Sequence, residues 1–157
     1  MQSFSFHDLI LGGQDGLVNV LGIILGLVAA GASAHIIIVA GLAAGFSEAV
    51  SMGGVAYTSA LPTNKQEERS HRNLWGRGIA VGIYALIGSI VPLISFFFLP
   101  TKPAVIIAIA VSIVVLFLLG FYRVKHTHEN KFKSGLQMLL IGMLCALAGF
   151  VVGLVLK

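Results

Sequence analysis

Two carboxylates fall inside or at the edge of long apolar runs of this sequence, Asp15 and Glu48. A carboxylate deep in a bilayer costs from about 2.5 kcal/mol upward, so it is paired, protonated or turned to a water-filled cavity. Asp15 and Asn19 are four residues apart, as are Glu48 and Met52, and on a helix that spacing puts each pair on one face. At about 1.5 Å per residue, Glu48 lies roughly 18 Å from the start of its apolar run, with Met52 about 6 Å further along. Asp15 is expected about one further turn in the same direction, so that the two faces together form a ladder of carboxylate, thioether and amide ligands. Carboxylates suit hard divalent cations, and a soft thioether favours later transition metals over Ca²⁺ or Mg²⁺. A mixed set of this kind fits Fe²⁺ or Mn²⁺ as a substrate, with no resident cofactor. Plainer roles stand beside these: Asp15 as a cap of its helix, Glu48 as a polar packing contact, and Met52 as a gap-filler.

The polar links offer further candidates. Glu67, Glu68 and His71 lie in one of them, Glu67 and His71 at helical spacing, where they would gather metal at the mouth of a pathway. His126, His128 and Glu129 pose the same question in another, and the competing reading of both is a solvated charged loop. His35 marks an outer interface. One thiol, Cys145, makes neither an intrachain disulfide nor a zinc cluster. No nucleophile elbow, P-loop, His-Glu-x-x-His or dinucleotide fingerprint occurs, and Asp15 is the one aspartate within a predicted span, which argues against an enzyme.

These residues are positioned by elements that composition identifies. The chain has 157 residues, 57% of them hydrophobic and 10% charged, with mean hydropathy +0.99. Soluble domains carry about a quarter charged residues, so this surface faces lipid. About 20 apolar residues cross the hydrocarbon core, which predicts an all-α membrane protein of five transmembrane helices over residues 15–34, 36–61, 79–99, 104–122 and 136–156, in a single domain. A short interfacial helix is expected around Phe4, Phe6, Leu9 and Ile10, and a tight hairpin at residues 31–35. Pro62, Pro100 and Pro103 punctuate the runs, and Pro92 lies within the third. Lys65, Arg69, Arg72, Arg77, Arg123, Lys125, Lys131 and Lys133 fall on one side of this arrangement, against Lys102 and Lys157 on the other. The positive-inside rule then puts the N-terminus in the cytoplasm and the C-terminus outside. The net charge of +4 therefore reports topology, and no basic-aromatic face suggests nucleic acid. The N-terminal residues MQSFSFHDLI carry no Lys or Arg, which argues against a cleaved leader or transit peptide. Short links point to the plasma membrane of a bacterium or archaeon. Nineteen glycines suit close helix approach, with small residues at four-residue spacing in Gly22/Gly26, Gly41/Gly45/Ala49/Gly53, Gly78/Gly82 and Gly149/Gly153.

Four stretches resemble the vacuolar iron transporter family. Gly12-Gly13-Gln14-Asp15-Gly16-Leu17-Val18 is similar to the opening of that family's first span, and Ala49-Val50-Ser51-Met52-Gly53 with Tyr57 and Ser59 to its second. Gly88-Ser89-Ile90-Val91-Pro92-Leu93 resembles the third span, and residues 134–142 the start of the fifth. The resemblance implies five spans, a cytoplasmic N-terminus, a homodimer with a pathway near the subunit interface, and Fe²⁺ or Mn²⁺ transport against proton counterflow. It implies that Asp15 and Met52 hold metal. The family's second-span glutamate matches Ala44 or Ala56 here, and Glu48 stands between them on what is expected to be one helical face. The family's glutamate-rich cytoplasmic domain has no room in residues 62–78, where Glu67 and Glu68 would be its remnant. Proton-coupled export of metal from the cytoplasm is the leading expectation, with Glu48 carrying proton and cation in turn. A non-transporting scaffold or regulatory subunit with the same fold is the alternative.

Overall fold

A computed structural model describes residues 6–59, 71–124 and 130–157. The chain folds into five helices, α1 Phe6–Ala29, α2 Ala34–Thr58, α3 His71–Phe98, α4 Thr101–Arg123 and α5 Lys131–Val155. All five are long and apolar enough to cross a membrane, and with no water in hydrocarbon only such self-satisfied helices or closed barrels can span it.

Each helix outruns at least one edge of its apolar run. α1 begins at Phe6, so the expected interfacial helix and the first span are one continuous element. α3 begins at His71, well before the apolar run at 79. Hydropathy marks only the length inside the hydrocarbon core of about 30 Å, whereas a helix continues through the headgroup zone. α4 likewise starts at Thr101 and takes Pro103 into its first turn, where a proline is tolerated because the first N–H groups have no intrahelical partner. Pro92 sits inside α3 without ending it. Nearby, the Ser95 hydroxyl contacts the carbonyls of Pro92 and Ala104, the latter at 2.9 Å, tying α3 to α4.

The α1–α2 turn is closed by two backbone bonds, Gly31 N–H to Val28 O and Ala32 N–H to Leu27 O. That paired pattern needs a left-handed residue between them, and Gly31 supplies it at φ +82°. Ser33 caps α2. The chain therefore reverses within residues 30–33, as the expected hairpin requires.

α1 is the central helix, packed on α3 and α5 with lighter contact to α2 and α4. Glycine sets those distances. A Cβ on Gly26 would stand 2.9 Å from the carbonyl oxygen of Gly149, and Gly149 and Gly153 abut the backbone of Gly22 and Gly26 in return. On α2, Ala49 and Gly53 meet Gly82 and Gly78 of α3 in the same way. The stripes at four-residue spacing thus lie at two of the helix seams. Apolar side chains fill the rest, including Val20, Ile24, Ile37, Leu93 and Phe96 toward one end and Leu17, Val18, Leu116 and Met138 toward the other. The contacts also fix direction: Gly12 lies beside Val81 and Gly16 beside Ala85, so α1 and α3 run parallel, while Gly41 meets Leu93 and Gly53 meets Gly78, so α2 runs antiparallel to α3. Among the described residues α2 packs chiefly on α3 and, more lightly, on α1, which leaves much of its surface exposed.

Candidate metal-binding cleft

Asp15, Asn19 and Ile23 recur every fourth residue on α1, and Met52, Glu48 and Ala44 do so on α2. The structure sets these two rows against each other along a cleft of about 460 Å³, with Ser47 and Ser51 completing its lining. Asn19 Nδ2 donates to Glu48 Oε1 at 2.6 Å, which fixes the register. Because the hairpin is antiparallel, one turn along α1 from Asn19 brings Asp15 level with Met52, and one turn the other way brings Ile23 level with Ala44. The cleft therefore has three rungs: carboxylate and thioether, amide and carboxylate, and an apolar pair. The carboxyls of Asp15 and Glu48 lie close enough to interact.

All four metal candidates of the spans are thus brought together, with three differences from expectation. Asp15 does not cap its helix, because α1 begins nine residues earlier, at Phe6; the acid in the first turn is Asp8. Nor does Asp15 stand a turn beyond Met52, since the longer α1 slides it into register with that residue. A third difference concerns α2. Ala44 lines the cleft, whereas Ala56 is buried at 6% exposure. Four residues overshoot a helical turn by about 40°, so the eight steps from Glu48 to Ala56 turn the side chain by about 80°. Positions 44, 48 and 52 share the cleft, and 56 has rotated out of it.

The remaining candidates do not join this site. Glu67, Glu68, His126, His128 and Glu129 lie outside the described residues, and His71 is placed only as the first residue of α3. Among the described residues no group of three or more His, Cys, Asp or Glu comes together. The cleft offers a mixed set instead: two carboxylates, an amide, a thioether and two hydroxyls. Oxygen donors of this sort suit hard or borderline divalent cations, and the thioether biases them toward transition metals.

Sequence reasoning missed Ser47 and Ser51. They are four residues apart, each one position before Glu48 or Met52, and that adjacency was the signal available. It also missed Asp8, which is 4% exposed and accepts from Arg77 Nε at 3.0 Å. Asp8 lies seven residues before Asp15, two turns along nearly the same face, and its ion pair ties the start of α1 to α3. The rings of Tyr57 and Trp75 meet with centroids 4.5 Å apart, joining the end of α2 to the start of α3.

A family model described as the VIT family matches residues 6–74 and 62–154. An uncharacterized protein of Methanocaldococcus jannaschii is 29% identical over 156 residues, covering 83% of this chain and 81% of the relative. A protein of Tulipa gesneriana named vacuolar iron transporter 1 is 29% identical over 85 residues, covering 54% of this chain and 34% of its own length. Its namesake from Eucalyptus grandis is 32% identical over 71 residues, covering 45% and 28%. The chain spans about a third of the length of these two plant proteins.

Proposed function

The chain belongs to the VIT family, and from that membership we propose that it moves a divalent transition-metal cation, Fe²⁺ or Mn²⁺, across a membrane by way of the α1–α2 cleft. One observation carries the proposal: a membrane-spanning hairpin places Asp15, Asn19, Glu48 and Met52 around a single cleft. Polar groups within spans are costly and mark ion pathways, and the plant relatives' name, iron transporter, gives the cargo class.

The cation is a substrate, bound at Asp15 and Met52 and passed to Glu48 and Asn19. A carboxylate within the bilayer is stabilised by a proton or by a metal ion, so exchange of one for the other at Glu48 supports proton-coupled movement. With the N-terminus placed in the cytoplasm by the positive-inside rule, Asp15 faces the cytoplasmic side, which supports export for metal homeostasis. Asn19, Ser47 and Ser51 are exposed on the open side of the hairpin, and hydrocarbon does not solvate them; a second copy of the chain covering this face as a homodimer fits that need. The archaeal relative's extent of match supports a prokaryotic plasma membrane.

A second reading draws on one feature of the same cleft. Its third rung is apolar, Ile23 against Ala44, at the position where the family resemblance implies a glutamate. A chain that holds metal there without passing it on, as a scaffold or regulatory subunit, fits that rung. Flux of Mn²⁺ and Fe²⁺ into proteoliposomes under a pH gradient separates the two. Saturable flux that Glu48→Ala abolishes supports transport; folded wild-type protein that binds Mn²⁺ but shows no flux above bare liposomes refutes it.

A further inference from the structure

The Asn19–Glu48 contact is a side-chain hydrogen bond that joins α1 to α2. Asn19 is exposed and Glu48 half-buried, so the amide stands at the open edge of the cleft. Unlike the hydroxyls of Ser47 and Ser51, which donate and accept through one atom, a carboxamide carries donor and acceptor on separate atoms. Its planar fork carries a donor pair on Nδ2 and an acceptor on Oδ1, and half a rotation about the terminal torsion, which is broad and roughly two-fold, exchanges them at nearly the same point in space.

The two settings suit two different states of Glu48. Facing an ionised carboxylate, the N–H end is favoured, and the structure holds Nδ2 at 2.6 Å from Glu48 Oε1. A divalent cation held on the same carboxylate repels the amide hydrogens and attracts the carbonyl oxygen, and amide oxygens are ordinary ligands of hard cations. Aspartate at this position would only accept. Leucine, of similar size, would do neither.

We propose that Asn19 is a two-way positioning group: it donates to Glu48 in one setting and turns to offer its oxygen to the cation in the other. This rests on the proposal that the cleft carries a divalent cation. Its consequence is kinetic. Glu48 keeps a partner in both settings, so neither capture nor release passes through a bare carboxylate in the bilayer, where that state is costly. The amide also adds an oxygen to the bound cation without adding a charge, which keeps the cation releasable.

The sign of one affinity change tests this against a purely structural hydrogen bond. Purified wild-type, Asn19→Asp and Asn19→Leu proteins in nanodiscs are titrated with Mn²⁺ by electron paramagnetic resonance, and Mn²⁺ flux is measured in proteoliposomes. Added ligand charge tightens divalent sites, so Asn19→Asp is expected to bind Mn²⁺ about tenfold or more tightly and to turn over more slowly. Asn19→Leu is expected to bind about tenfold or more weakly. A structural hydrogen bond predicts the opposite for the aspartate: loss of the donor and a like charge beside Glu48 would loosen the hairpin and weaken binding. Equal or weaker Mn²⁺ affinity in Asn19→Asp, in protein whose elution profile matches wild type, overturns the proposal. Should Asn19→Leu fail to fold, the aspartate variant carries the test alone. Wild type that binds Mn²⁺ without flux defeats the transport reading and leaves the affinity comparison decisive; wild type that binds no Mn²⁺ defeats both.

Discussion

Replacing Glu48 by glutamine is expected to strengthen the fold while removing metal binding. The Glu48 side chain accepts from Asn19 at 2.6 Å, and a glutamine oxygen occupies the same point, so the hairpin keeps its geometry. A hydrogen bond to a charged group contributes about 1.5–3 kcal/mol against roughly 0.5–1.5 for a neutral one, so about 1 kcal/mol is lost there. Against this, at a pH where metal-free Glu48 has given up its proton, an ionised side chain at helix centre in a membrane costs about 2.5–3.5 kcal/mol, most of which disappears with the charge. The balance favours the variant by about 1–2 kcal/mol, or a few degrees in Tm for a chain of this size. Binding moves the other way. A divalent cation and a carboxylate about 4 Å apart attract by roughly 8 kcal/mol gross at an effective dielectric of about 20, of which dehydration offsets the larger part. A net loss on the order of 3 kcal/mol corresponds to about 100-fold in Kd. Thermal unfolding in detergent and Mn²⁺ titration of the same preparation read both quantities. Affinity within threefold of wild type, or a lower Tm, would refute the reasoning, because a merely structural Glu48 gives that pattern.

Three other outcomes follow from named contacts. Met52→Leu conserves volume and removes the one soft donor of the cleft, so competition assays should show Co²⁺ and Ni²⁺ losing ground to Mn²⁺ with Tm within a few degrees. Arg77→Gln should destabilise more than Asp8→Asn, because Asp8 is buried and would keep an unpaired charge, whereas the half-exposed Arg77 is reached by water; equal losses in thermal unfolding would contradict this. Gly153→Leu drives a side chain into the backbone of Gly26 and should cost about 1–3 kcal/mol or more, read as a lowered Tm or a reduced folded yield, whereas the same change at Gly54, which has open space around it, should be near neutral.

The number of helices was legible because each apolar run approaches the thickness of hydrocarbon, a requirement that tertiary packing does not override. Their ends were not, since hydropathy falls off at the headgroups while hydrogen bonding does not, and α1 and α3 reach back through polar sequence to Phe6 and His71. That single error displaced Asp15, turning an interior residue into a supposed cap. Pairing four residues apart correctly grouped Asp15 with Asn19 and Glu48 with Met52, because helical periodicity is local. The register between the two rows was invisible, since it depends on where residues 30–33 turn the chain. Ser47 and Ser51 were passed over for a related reason: hydroxyls are unremarkable in sequence and acquire meaning only on the exposed side of a membrane hairpin.

The three rungs also explain why the position of one glutamate matters more than its presence. Asp15 and Met52 form the first rung, and Asn19 and Glu48 the second, but the next step meets Ile23 and Ala44. Beyond Glu48, the only polar group among the described residues that this cleft adds toward Ala44 is the Ser47 hydroxyl. Under the transport reading, the further partners of a cation held at Glu48 must come from a movement of the hairpin or from a second chain laid over Asn19, Ser47 and Ser51. Moving the carboxylate up to position 44 would extend the ladder by a turn, about 6 Å, but would set the charge opposite an isoleucine with no donor to meet it. Glutamate at 48 is the placement in which this chain supplies a partner from α1. The amide at 19 and the acid at 48 are therefore partners across the hairpin, and replacing either by an apolar side chain leaves the other unsatisfied within the bilayer.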